Sequence, residues 1–201
     1  SGNFYATTNP VEVNKSLTLR SLVKHGAVIH GRIIVNADNV TIDGLTINRA
    51  AADGAGIIIK NNKKDILIKN NLQNGNGIGS ASLETAGIQV TGGTEVIIEN
   101  NIITNNKGNG IWVNTNGGSL TVTNNTIEDN RTGINFDSHY DTPISITNNK
   151  FTNNRENGIS IGQKDSGVFT INGNRFEGNQ NSHYSDYRYV DEDDDSVIPT
   201  K

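Results

Sequence analysis

Titratable side chains of three types lie close together in residues 135–143. Asp137, His139 and Tyr140 are residue types that can remove a proton beside the carboxylate of a uronate sugar and return one to a leaving oxygen or to the opposite face of the ring. Asp137 and His139 are two residues apart and would face the same way in a strand. We predict these three as candidate catalytic residues; the competing interpretation is a solvated surface turn.

The only tryptophan of the chain, Trp112, is a second candidate. An exposed indole beside amide groups and a carboxylate is typical of a platform on which a sugar ring stacks. The predicted substrate-binding residues are therefore Trp112, Asn114, Gln89 and Asn135. In the competing interpretation, Trp112 packs beneath a neighbouring loop such as residues 75–83.

The elements that must position these residues repeat along the chain. An Asn-Asn doublet recurs after alternating apolar runs, and Asn172-Gly173-Asn174 is a fifth copy. The second Asn follows the previous one by 30, 24, 24 and finally 25 residues. Such a period indicates a stack of similar rungs. The four doublets are Asn70-Asn71, Asn100-Asn101, Asn124-Asn125 and Asn148-Asn149.

A second repeated motif divides each rung into inward and outward positions. Successive side chains of a strand face opposite ways, so the Ile of each Gly-Ile pair is predicted inward and Trp112 and Asn135 outward. The second Asn of each doublet is predicted at a turn, where Asn tolerates left-handed backbone and its amide can bond to the same Asn one rung away. The motifs are Gly56-Ile57, Gly87-Ile88, Gly110-Ile111, Gly133-Ile134 and Gly158-Ile159.

Composition and charge narrow the classes of function. The net charge of -4 gives no basic surface for nucleic acid. The sequence has no apolar run near the roughly 20 residues that span a bilayer. It has no Cys and no initiator Met, so we expect a mature or excised chain that is secreted or displayed at the cell surface.

The segment from Val96 to Val113 resembles the right-handed parallel β-helix repeat of pectate-lyase-like proteins and of the wider carbohydrate-binding and sugar-hydrolase group. The resemblance implies an all-β fold, a right-handed parallel β-helix of about seven or eight rungs over residues 11–180. We predict one β-helix domain at residues 1–181, followed by a C-terminal cap and acidic tail at 182–201.

A shorter string bears on activity. Phe136-Asp137-Ser138-His139 is similar to the Phe-Asp-Pro-His string of alginate C5-epimerases, with Ser138 in the place of the Pro. The resemblance implies that any enzyme activity would be that of a polysaccharide lyase, epimerase or glycoside hydrolase. No cofactor and no metal site is evident, although the acidic run at residues 191–195 offers carboxylates to Ca²⁺.

Two functions remain open from the sequence. In the first, a secreted or cell-surface β-helix binds or processes an extracellular polysaccharide. In the second, a non-catalytic structural or adhesive module stacks end to end, or joins neighbouring domains of a longer chain in a surface assembly. The second rests on the absence of a recognisable capping helix before Val11 and on the monotonous Thr and Ser residues at other outward positions.

Overall fold

The computed structural model describes residues 2–48, 54–77, 85–114, 118–137, 142–162 and 168–186. Within these ranges the regular structure consists of strands alone, and every strand pair is parallel. Residues in equivalent positions of successive rungs pair with one another, for example Ile111 with Ile134. The predicted all-β parallel solenoid is therefore confirmed.

The strands of each rung lie on three faces. Face 1 carries the Gly-Ile motifs and comprises β6 (Ala55–Ile59), β9 (Ala86–Val90), β12 (Asn109–Val113), β15 (Ile134–Phe136), β18 (Asn157–Ile161) and β21 (Ser182–Asp186). Face 2 precedes the Asn doublets and comprises β2 (Leu17–Arg20), β4 (Val40–Asp43), β7 (Lys63–Lys69), β10 (Gly93–Glu99), β13 (Leu120–Thr123), β16 (Ile144–Thr147) and β19 (Phe169–Asn172).

Face 3 follows the doublets and comprises β5 (Thr46–Asn48), β8 (Leu72–Asn74), β11 (Ile102–Thr104), β14 (Thr126–Glu128), β17 (Lys150–Thr152) and β20 (Arg175–Glu177). The remaining strands, β1 (Gly2–Val13) and β3 (Ala27–Val35), are longer, and each runs across faces 3 and 1. Their length joins the two faces into one sheet.

The rungs extend slightly differently from the prediction. Face 2 has seven strands, with about six complete turns of the chain between the first and the last. This is slightly fewer than the predicted seven or eight rungs. Regular pairing begins at β1, ahead of residue 11. It continues beyond Asn181, because β21 pairs with β18 and places Tyr184 beside Ile159. The acidic run at residues 191–195 and the rest of the segment after Asp186 lie outside the described residues.

The predicted inward columns form the core. The Ile of all five Gly-Ile motifs is completely buried. The face 2 residues Val96, Ile98, Leu120 and Val122 are buried as well. Burying an aliphatic side chain of this size contributes about 1.5–3 kcal/mol. Stacked rungs repeat this contribution, so continuous apolar columns stabilise a chain that has few aromatic residues.

Two columns of buried asparagines run along the core. The predicted column is confirmed: the backbone N–H and Nδ2 of Asn101 donate to Oδ1 of Asn125 at 2.9 and 3.0 Å, and those of Asn125 donate to Asn149 at the same distances. A second column follows face 3 and has the same pattern. Its members are Asn76, Asn106, Asn130, Asn154 and Asn179.

The left-handed backbone lies one position earlier than predicted. The first Asn of each doublet has positive φ, for example 55° at Asn124, whereas the second Asn does not. The second Asn has to hold its amide inside the rung. The turn from face 2 to face 3 therefore falls on the first Asn of the doublet, which is exposed at Asn100, Asn124 and Asn148. Each doublet thus separates a turn residue from a ladder residue.

Candidate functional site

The candidate site lies on the outer surface of face 1. Strand register places Gln89 beside Trp112 and Trp112 beside Asn135, as predicted. Adjacent strands are about 4.8 Å apart, so the three side chains are immediate neighbours. We call the column that contains them the indole row. Its members are Ile58, Gln89, Trp112, Asn135, Ser160 and Ser185.

A second row begins where the strands of face 1 end. The backbone N–H of Asn114 donates to Val90 O at 3.2 Å, and that of Asp137 donates to Val113 O at 2.9 Å. These bonds place Asn114 and Asp137 in successive rungs, two residues beyond the indole row. Asn114 is half-buried and Asp137 is exposed. The structure thus brings together five of the predicted residues, Gln89, Trp112, Asn114, Asn135 and Asp137.

A third outer row was missed by the sequence analysis. It lies at the start of the face 1 strands, and we call it the corner row: Ala55, Ala86, Asn109, Thr132, Asn157 and Ser182. Its polar members are buried or nearly so, and Ser182 donates to Asn157 Oδ1 at 2.8 Å. The available signal was a polar residue directly before Gly-Ile, as in Asn109-Gly110 and Asn157-Gly158.

Of the two interpretations of Trp112, the open platform is wrong, and the structure agrees with the competing one in that the side chain is buried. The residue faces away from the main core, but it is 7% exposed and forms a separate apolar cluster with Ala55, Ile58 and Ala86. The small Ala side chains leave room for the large ring on the outer surface. A sugar ring therefore cannot stack on an open indole platform as the sequence suggested.

The indole N–H of Trp112 is buried together with the ring. Its Nε1 has no hydrogen-bond acceptor within the described ranges, although the atom is inaccessible to solvent. Leaving such a donor unsatisfied costs about 1–3 kcal/mol. Because buried polar groups are nearly always paired, this N–H is a candidate donor to an ordered water, or to a bound ligand that reaches it when the covering side chains move aside.

Three charged side chains at the corner before face 1, those of Arg131, Glu156 and Arg155, are already engaged. Arg131 Nε contacts Glu156 Oε1 at 2.6 Å, and Thr132 Oγ1 donates to Glu156 Oε2 at 3.3 Å. Arg155 Nη2 donates to the backbone oxygen of Lys107 at 2.8 Å. The contacts of Glu156 link successive rungs at the corner, and the contact of Arg155 with Lys107 spans two rungs. Uncharged polar groups dominate the outer rows of face 1 beside them.

Comparison with known protein families agrees with this geometry. A family model described as "Right handed beta helix region" matches residues 31–188. The chain belongs to this family. The match spans most of the rungs of this right-handed β-helix and all three of its faces. No curated protein and no solved structure matches the chain.

Two of the predicted catalytic residues of this right-handed β-helix, His139 and Tyr140, lie outside the described residues. In the part that the structure describes, no group of three or more His, Cys, Asp or Glu side chains is arranged to hold a metal ion. The same part contains no helix long and apolar enough to cross a membrane. Of the predicted catalytic trio, the structure therefore locates Asp137 alone.

Face 2 of the right-handed β-helix carries a separate pair of carboxylates. Asp65 and Glu95 occupy equivalent positions in β7 and β10, and both have left-handed backbone, with φ of 57° and 60°. A hydrogen bond with Asp65, its negative charge and slight desolvation raise the pKa of Glu95 above its ordinary value of 4.5, while Lys64 opposes the shift. The pair therefore holds a proton more tightly than a lone glutamate does.

Proposed function

We propose that this β-helix domain binds or processes an extracellular polysaccharide as part of a secreted or cell-surface protein. The observation that carries the proposal is the buried indole N–H of Trp112, which has no acceptor among the described residues and stands in one row with Gln89 and Asn135. A row of amides next to an unsatisfied donor matches a ligand that bears many hydroxyl groups.

The chemistry of the surrounding rows supports this reading. Amide side chains offer donors and acceptors in one group, as do the hydroxyls of a sugar. Gln89 and Asn135 are half-buried, and Asp137 is exposed, so their polar atoms reach the surface around the buried indole. Rungs repeat about every 4.8 Å, which gives a chain-like ligand similar contacts at successive positions.

Replacement of Trp112 tests the proposal. Trp112→Phe keeps most of the ring and removes the N–H, so we expect binding of a recognised glycan to weaken about tenfold, the equivalent of one hydrogen bond of about 1.4 kcal/mol. Trp112→Ala should lose more affinity and also stability, because it removes a large buried side chain. Binding is measured by calorimetry or affinity electrophoresis across a panel of glycans.

Thr121→Ala is the matched control, because Thr121 faces outward on β13 of face 2 and should leave binding unchanged. Denaturation curves of every variant separate lost affinity from lost folding. A wild-type protein that binds no glycan of the panel would overturn the proposal. Equal affinity of the wild type and Trp112→Phe would show that the indole N–H takes no part in glycan binding.

Processing of the polysaccharide is the finer part of the proposal. Asp137 is exposed at the edge of the indole row and could act as an acid or base with His139 and Tyr140, as the sequence suggests. Lyase, epimerase and glycoside hydrolase activities are each measurable, by new double bonds, changed sugar configuration or new reducing ends. Loss of such a product in Asp137→Asn, with binding retained, would support catalysis.

End-to-end association is a second candidate. No described strand pairs with the outer edge of β2 or of β19, and an open parallel edge can accept another strand. A cavity of about 330 Å³ lined by Phe4, Val11 and Leu19 lies at one end, and one of about 440 Å³ lined by Ile171 and Phe176 lies at the other. A mass that rises with concentration in light scattering would support it; a constant monomer would count against it.

A further inference from the structure

We infer that the polysaccharide recognised by face 1 is neutral rather than a polymer of uronate or sulfated sugars. The inference rests on the proposed function and names the substrate class of the same site. Of the three activities considered there, glycoside hydrolysis is the one that fits a neutral polymer, because the lyase and epimerase chemistry needs a proton beside a uronate carboxylate. It comes from the distribution of charge over the three outer rows, which the sequence alone did not reveal.

The outer rows are uncharged over the rungs of β12 to β21, with one exception. The indole row continues from Trp112 through Asn135 to Ser160 and Ser185, and the corner row from Asn109 to Ser182 is Asn, Thr and Ser. Among the described residues of these rows, Asp137 carries charge, and that charge is negative. Lys60 also lies along the edge of face 1, but it is two rungs before Asn114, next to Ile58 and the apolar cluster.

The nearest arginines do not supply the missing positive charge. Arg131 is paired with Glu156, and the guanidinium of Arg155 is directed to the backbone oxygen of Lys107. Both residues and the exposed Lys107 lie at the corner before face 1, outside the three outer rows; the Arg131–Glu156 contact joins neighbouring rungs, and the contact of Arg155 with Lys107 spans two. The charge of Arg131 is therefore already compensated by Glu156, whereas Arg155 keeps its charge and would have to turn away from Lys107 O to contact a carboxylate on the indole row.

The energetic consequence is a penalty for acidic sugars. A carboxylate brought onto the rungs of β12 to β21 loses water, gains amide and hydroxyl donors but no cation from the described residues of the outer rows, and is repelled by Asp137. A neutral sugar of the same shape keeps the hydrogen bonds with the amides and avoids both costs. The indole N–H of Trp112 then donates to a hydroxyl or ring oxygen rather than to a carboxylate.

Matched polymers test the inference. Alginate and polygalacturonate are each compared with their carboxyl-reduced forms, which keep the linkages and lose the charge, together with neutral glucans, mannans and xylans. We expect a neutral polymer to bind and any acidic counterpart to bind at least about tenfold more weakly at low salt, because like charges facing each other are unfavourable. The affinity for the neutral polymer should change little with added salt.

Asp137→Asn provides the internal check. It removes the described negative charge, so the difference between acidic and neutral members of a pair should shrink, whereas Thr121→Ala should not change it. Preferential binding of the acidic member would overturn the inference and leave polysaccharide binding intact. Absence of binding to every polymer, acidic and neutral, would overturn the proposed function and the inference with it.

Discussion

Two neighbouring asparagines of one doublet have opposite roles. Asn124 is exposed and carries the left-handed backbone of the turn, with φ of 55°. Asn125 is 2% exposed; its Oδ1 accepts from Asn101, and its Nδ2 donates to Ile98 O at 2.9 Å and to Asn149 Oδ1 at 3.0 Å. Identical side chains therefore stabilise the rung through backbone conformation in one case and through buried hydrogen bonds in the other.

Substitution of the two residues should give very different losses of stability. Asn125→Ala leaves several buried groups without partners, each costing about 1–3 kcal/mol, so we expect a loss of about 3 kcal/mol or more. Asn124→Ala should cost about 1 kcal/mol, the penalty of placing a Cβ in left-handed backbone, and Asn124→Gly close to nothing. Denaturant unfolding measures all three, and similar losses for Asn124→Ala and Asn125→Ala would contradict this division of roles.

The same residue scale shows where sequence reasoning falls short. The ladder through Asn125 was predictable because each doublet follows an apolar run. The second ladder also leaves a signal, an Asn five residues further on, as Asn130 follows Asn125, but a single Asn among many turn residues does not stand out. Gln73 occupies the fully buried column between Ile47 and Ile103, where the apolar pattern alone predicts another aliphatic residue.

At the scale of the strand, β7 and β10 place two carboxylates side by side. The pKa of Glu95 is raised chiefly by its hydrogen bond with Asp65 and by the charge of Asp65. A raised folded-state pKa means that the folded protein binds the proton more tightly than the unfolded chain does. The stabilising contribution is then fully present below the ordinary value of 4.5 and is lost as the pH rises through the raised pKa of Glu95.

Glu95→Gln should therefore change how stability depends on pH. The amide can donate a hydrogen bond to Asp65 and does not become negative, so the variant should gain stability relative to wild type as the pH rises above about 4.5. Urea unfolding at several pH values between 4 and 7 measures the difference. Glu128→Gln removes a carboxylate whose neighbours in the strand register are Thr104 and Thr152 rather than another acid, and it serves as the control for loss of one charge. If the stability of the wild type and of Glu95→Gln depended on pH in the same way, repulsion between Asp65 and Glu95 would be excluded.

Strand alternation predicted the members of the indole row but not the environment of Trp112. Alternation tells which side of a strand a residue faces, and that prediction is confirmed for Gln89, Trp112 and Asn135. Burial of an outward residue depends on side chains from other rungs, here Ala55, Ile58 and Ala86. No local pattern encodes that contact, so the sequence alone left both an open and a covered indole possible.

At the scale of the whole molecule, successive rungs are nearly interchangeable. Asn101, Asn125 and Asn149 are related by 24-residue steps, and their hydrogen bonds have the same partners and distances. Stability of such an array is approximately a sum of rung and interface contributions. After deletion of one complete rung, the remaining rungs should therefore still pack and hydrogen-bond to one another.

Deletion of residues 125–148 tests this interchangeability. It joins Asn124 to Asn149 and so restores a doublet 24 residues after Asn101, where Asn149 can accept the bonds that Asn125 accepted. We expect a folded β protein by circular dichroism that unfolds cooperatively at lower denaturant concentration, because one rung fewer contributes. Deletion of residues 125–136 removes half a rung, moves strands onto the wrong face and should prevent folding; folding of both variants or of neither would contradict the prediction.

The direction of the asparagine ladders relates the fold to the order of synthesis. In both ladders the donors of one Asn meet the oxygen of an Asn that comes later in the chain, 24 residues later for Asn101 and for Asn125. A ribosome releases the amino-terminal end first, so the N–H groups of the newest rung stay unsatisfied until the following rung emerges. Each closed rung thus leaves behind a polar edge that the next stretch of nascent chain completes, and hydrogen-bond closure advances in the same direction as translation.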